Sequence, residues 1–110
     1  MQTETSKVDS IDVVAISGRL DPAAAIELKK VLTPLLGAGA TKLVVDMAAV
    51  EYIGSAGLRE LFFAAKSLER AGGKLVCCSL QPEVQRIFDI AGFSIPYQVF
   101  ATRDEAVKGL

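Results

Sequence analysis

The chain contains no histidine and no tryptophan, and only two cysteines among its 110 residues. The missing histidine has the widest consequence. It removes Ser-His-Asp and Cys-His catalysis together with the histidine-ligated metal sites, so an enzyme reading has only carboxylates, lysines and hydroxyls to use. The cysteines, Cys77 and Cys78, are adjacent in an apolar run. Neighbours on a strand point to opposite faces, so a bond between them needs a strained geometry, and two thiolates alone do not complete a usual zinc site. They read as small buried hydrophobes. A basic stripe is also absent: 12 Lys and Arg stand against 13 Asp and Glu, with the cations scattered. That argues against direct nucleic-acid binding. No apolar run approaches the roughly 18 to 20 residues that cross a bilayer. The opening MQTETSKVDS is polar, without the apolar centre of a signal peptide, so a cytoplasmic protein with no membrane insertion is expected. Linkers, internal repeats and low-complexity tracts are lacking too. A single domain over residues 1–110 is the expectation, near the commonest domain size.

What is present is an alternation of strands and helices. Residues 2–8 alternate weakly, Asp9-Ser10 can turn, and IDVVAISG (11–18) has the pattern of a strand. Asp21-Pro22 opens a helix: the Asp caps orphan amides, and Pro fits a first position that needs no donor. This helix runs through Ile26, Leu28, Val31 and Leu32, with Pro34 expected to kink or end it and Gly37 and Gly39 to close it. KLVVDM (42–47) reads as a strand covered on both faces. After Gly57 a helix places Leu58, Leu61, Phe62, Ala65 and Leu68 on one stripe, and Gly72-Gly73 stops it. KLVCCSL (74–80) is a further buried strand, and Pro82 opens a helix that Gly92 ends. A short strand near YQVF precedes a last helix, where Thr102 and Glu105 have capping-box spacing. The order β-β-α-β-α-β-α-β-α predicts an α/β fold: a mixed, mostly parallel sheet of four to five strands with four helices, its first two strands a hairpin.

In open α/β sheets, sites gather where the carboxyl ends of strands meet the following helices. Two such loops are visible, SGRLDP and VEYIGSAG, and if their strands are neighbours Asp21 comes near Ser55, with Asp46 pointing toward the same region. The GSAG turn does not make a nucleophile elbow, because Ile53 stands where the first glycine belongs and no histidine is available. Neither a G-x-G-x-x-G fingerprint nor a Walker A sequence occurs. Ser55 sits where a helix N-cap belongs, which is one reading of it. The other is a covalent phosphate, adding about −1.5 to −2 charges at a helix N-terminus that tolerates them. A partner pressed against that loop would meet a hydrated dianion where it was built for a hydroxyl. Along the following helix, Phe63 lies opposite the apolar stripe and shares its side with Arg59, Lys66, Ser67 and Arg70. It either anchors a partner or is covered by a neighbouring helix.

The segments SGRLDPAAA, LVVDMAAVEYIGSAGLREL and GGKLVCCSLQPEVQRIFDIAGF together resemble the STAS family, the sulfate transporter and anti-sigma-factor antagonist domains. The middle segment is similar to the family's D-L-S-x-V-x-x-I-D-S-x-G-L signature, and the resemblance runs over nearly the whole chain. The chain is more similar to the bacterial anti-sigma-factor antagonists than to transporter tails. The resemblance implies a non-catalytic module without a cofactor or metal. It also implies a partner that is both anti-sigma factor and serine kinase, a phosphatase that resets the switch, and a phosphoacceptor at Ser55 with Asp21 beside it. The partner surface it suggests comprises Asp21, Tyr52, Ile53, Gly54, Ser55, Ala56, Gly57, Arg59 and Phe63. The sequence departs from the family pattern at Gly54, often Asp or Ser, and at Ala48, often Ser. A rival reading is a constitutive adaptor, such as the small STAS partner of a transporter ATPase, in which Ser55 is only a cap. A third and minor reading is nucleotide binding at the Gly54–Gly57 turn, and a weak dimer is left open.

Overall fold

A computed structural model describes residues 1–93 and 96–110. Strand β1 (Gln2–Val8) turns through Asp9 and Ser10 into β2 (Ile11–Leu20), with Asp9 at φ 56°. A two-residue connection demands such a positive φ, which Asp tolerates better than most residues. Helix α1 (Pro22–Gly37) then leads to β3 (Lys42–Ile53), and α2 (Ser55–Arg70) to β4 (Lys74–Cys78). Helix α3 (Pro82–Ala91), β5 (Val99–Phe100) and α4 (Arg103–Lys108) complete the order. The described residues form a five-stranded sheet in the order β1-β2-β3-β4-β5, with β1 antiparallel and the other pairings parallel.

This order decides where the helices go. Parallel crossovers are right-handed almost without exception, and successive right-handed crossovers that advance in one direction return over the same face of the sheet. A single core accordingly joins Leu28 and Leu32 of α1, Leu61 and Leu68 of α2, and Val84 and Phe88 of α3 to Val14, Val45 and Cys77 of the strands. The opposite face carries a smaller core of Ile11, Val13, Val44, Val76 and Cys78, closed by Ala106 of α4. Cys77 and Cys78 thus lie on opposite faces, both buried and both free thiols.

Several boundaries differ from the sequence expectation: β2 runs two residues past Gly18 to Leu20, and β4 stops at Cys78 rather than Leu80. Strand β3 continues to Ile53 instead of stopping at Met47, because its pairing with β2 shifts register twice, after Asp46 and after Val50. Each shift inserts an extra residue and turns the two-residue period into a three-residue one, so Met47, Val50 and Ile53 face the same core. Helix α1 runs through Pro34 to Gly37 rather than ending early, and Ile26 points to solvent while Ala24, Ala25, Leu28 and Leu32 form the buried row. Helix α2 starts at Ser55, before Gly57 rather than after it.

Candidate functional site

The lengthened strands β2 and β3 end together. Leu20 pairs with Ile53, and the Gly54 N–H donates to the Leu20 carbonyl at 3.0 Å. The chain therefore leaves both strands at one point, and α1 and α2 start side by side from it. Asp21 caps α1, its Oδ1 accepting from the Ala24 N–H at 2.9 Å, as expected from the Asp-Pro pair.

The second helix begins differently. Its N-cap is Gly54, with extended backbone and no side chain to cap with, and Ser55 is the first helical residue. The expected capping role of Ser55 is therefore corrected: the hydroxyl stands one position too late to cap. It is exposed and makes no hydrogen bond among the described residues. The first intrahelical bond runs from the Leu58 N–H to the Gly54 carbonyl, leaving the amides of Ser55, Ala56 and Gly57 without helical acceptors. This end of α2 carries the positive pole of the helix dipole.

Gly57 explains how close α2 comes to the strand ends. A Cβ there would stand 3.2 Å from Ile53 Cγ1 and 3.3 Å from two atoms of Leu20. Ile53 and Gly57 are consequently buried and lie beneath the proposed surface rather than on it. The others of the set reach the outside. Asp21, Gly54 and Ala56 are half-buried, Arg59 is exposed, and Tyr52 and Phe63 are 42% and 56% exposed. Among the described residues no helix covers Phe63, so the covered-aromatic reading fails; its neighbour Phe62 instead packs edge-on to Phe93, centroids 4.7 Å apart.

Asp46 does not join this region. It lies seven residues before the end of β3, on the α4 side of the sheet, where Oδ2 accepts from Arg103 Nε at 2.8 Å and Oδ1 from the Ala48 N–H at 3.0 Å. The expectation failed because it assumed that β3 ended at Met47. Sequence reasoning also does not single out Arg19, whose guanidinium lies 4.5 Å from the centre of the Tyr52 ring. The parallel register of Arg19 with Tyr52 is what brings them together, and no local pattern announces it.

The displaced ionisations lie elsewhere. Burial pushes the Cys77 thiol far above its ordinary value, reinforced by Cys78. Burial also raises Cys78 and Tyr97, with the Glu69 carboxylate adding to the latter. Among the described residues no group of three or more His, Cys, Asp and Glu side chains is placed to hold a metal ion, and no helix is long and apolar enough to cross a membrane. The strand-end loop offers an exposed hydroxyl, rigid small neighbours and protruding aromatics.

The family model of the STAS domain matches residues 2–106. BtrV of Bordetella bronchiseptica, which carries the name anti-sigma factor antagonist, is 33% identical over 106 residues, covering 96% of this chain and 91% of that protein. The anti-sigma-B factor antagonist of Staphylococcus aureus is 29% identical over 92 residues, covering 84% and 85%. A crystal structure of an anti-sigma factor antagonist from Mycobacterium paratuberculosis superposes with a TM-score of 0.91 at 26% identity, covering 98% of this chain and 92% of that one. Sequence, topology and the strand-end loop agree, and the chain belongs to the STAS domain family.

Proposed function

We propose that this chain is an anti-sigma factor antagonist, a non-catalytic cytoplasmic binding protein whose partner is an anti-sigma factor acting as a serine kinase. The unphosphorylated form binds that partner, phosphorylation of Ser55 releases it, and a serine phosphatase restores binding. The names of the similar proteins support the antagonist role. The observation that carries the switch is the position of Ser55: exposed, first in α2, with capping left to Gly54. Its hydroxyl is not needed to hold the fold and is accessible to a modifying enzyme.

The physics of the switch is an asymmetry between folding and docking. Within the chain, a phosphate at the first helical position faces unpaired amides and a favourable dipole, an interaction worth about 0.3–1 kcal/mol at an exposed site. Across an interface the same dianion must be stripped of water against a surface shaped for a hydroxyl, which opposes binding. Incubation with the cognate anti-sigma factor and ATP tests the reading. Mass spectrometry is expected to find one phosphate, on Ser55, and Ser55→Ala is expected to remove it. Phosphate on another residue, or none, refutes this assignment.

A further inference from the structure

Arg19 stands at the exposed end of β2, stacked on Tyr52 of the neighbouring strand. The platform beneath it is itself located by the loop. The Tyr52 hydroxyl reaches over Gly54 and lies 3.1 Å from where a Cβ of that residue would stand. Gly54 thus leaves the space in which Tyr52 lies along the loop, and Tyr52 holds Arg19 beside the residue that precedes Ser55. A surface arginine normally gives up much side-chain freedom on binding; one already seated on an aromatic face gives up less.

The guanidinium is also uncommitted. Among the described residues it has no carboxylate within ion-pairing distance, whereas Lys7, Lys30, Arg86 and Arg103 each have one. Beside it opens a groove of about 460 Å³ lined by Met1, Arg19, Asp21, Ala23, Ala24 and Glu27. Both carboxylates in that lining are engaged: Asp21 caps α1, and Glu27 lies 3.6 Å from Lys30. Arg19 is the one charged side chain of the groove without a counterpart among the described residues. A planar fork of N–H donors in that position matches a carboxylate.

We infer that Arg19, seated on Tyr52, is a specificity-determining residue of the surface around Ser55, and that the groove beside it receives an aspartate or glutamate side chain of the anti-sigma factor. This rests on the proposed function, which supplies the partner. A partner without an acid at that place leaves Arg19 desolvated and unpaired, so the contact selects between partners as well as adding affinity.

Calorimetric titration of the cognate anti-sigma factor into wild type, Arg19→Lys, Arg19→Glu and Tyr52→Leu tests the inference. Melting curves confirm that each variant is folded, as the exposure of Arg19 predicts. Arg19→Glu is expected to weaken binding by at least about tenfold and to flatten its salt dependence. Arg19→Lys, which keeps the charge but not the fork, and Tyr52→Leu, which removes the platform, are expected to fall between that variant and wild type. Reversing the charge of the contacting acid on the partner is expected to restore affinity to Arg19→Glu. Binding of Arg19→Glu within about twofold of a normally binding wild type overturns the inference and leaves the proposed function standing. Failure of the wild type itself to bind overturns both.

Discussion

At the scale of single residues, the two glycines of the loop do different things, and substitution separates them. A methyl at Gly57 meets Ile53 and Leu20 at 3.2–3.3 Å, both buried in the main core, so these side chains must give way by a few tenths of an ångström. Gly57→Ala is expected to cost about 1–2 kcal/mol by crowding α2 against the sheet, and chemical denaturation measures it. Gly54→Ala meets only the hydroxyl end of Tyr52, which is 42% exposed and can swing away. Its cost to stability is expected to be smaller, while its effect on the Arg19–Tyr52 stack is larger. Equal losses at the two positions would contradict this division. The buried thiols make a separate prediction. Burial raises Cys77 from the ordinary value of 9.0, so below that pH folded and unfolded chains both hold the proton and stability is unaffected. Above it the unfolded chain ionises first, and stability falls as pH rises toward the higher folded value. Unfolding free energy is therefore expected to be lower at pH 10 than at pH 8, with a smaller drop in Cys77→Val; an unchanged drop would assign the effect to other groups. The place of Ser55 at the start of a helix was legible from its setting between glycines, but its freedom from capping was not. One residue of difference in the helix start decides that, and helix starts are the least determined feature of a sequence.

At the scale of elements, the hairpin, the three crossovers and the caps of α1 and α4 follow from local chemistry. Asp21 and Thr102 accept the amide bonds their positions suggested. Strand β3 was only half legible. Its first half has the continuous apolar pattern of a doubly covered strand, whereas the two register shifts in its second half replace alternation with a spacing of three, which imitates a helix or a loop. Mistaking its end displaced Asp46 from its true place, where it fastens α4 to the sheet through Arg103. That helix is six residues long; Ala106 is buried and Val107 packs beside it on the smaller core, and the ion pair adds to this anchorage. Arg103→Ala leaves the Asp46 carboxylate, with a side chain 11% exposed, lacking its cation. The expected cost is about 1–2 kcal/mol, between that of an exposed pair and a fully buried one. Hydrogen exchange is expected to speed up in α4 while α1 and α2 stay protected; loss of protection throughout would mean that α4 is integral to the main core.

At the scale of the whole molecule, the sheet order places α1, α2 and α3 on one face and brings the ends of β2 and β3 to a common edge. The loop that carries Ser55 is thus mounted on the main core, with the buried Leu20 and Ile53 beneath it. Under the proposed function, such a mount lets a charge change at Ser55 act on a partner without being absorbed by the chain. The central claim is that the dianion on Ser55 abolishes docking and spares the fold. The most direct measurement is calorimetric titration of the cognate anti-sigma factor into unphosphorylated protein and into protein fully phosphorylated on Ser55, with the melting temperature of both. The account predicts tight binding by the first, a loss of at least about a hundredfold by the second, and melting temperatures within a few degrees of each other. Equal affinities, or a phosphorylated form that no longer folds, would contradict it.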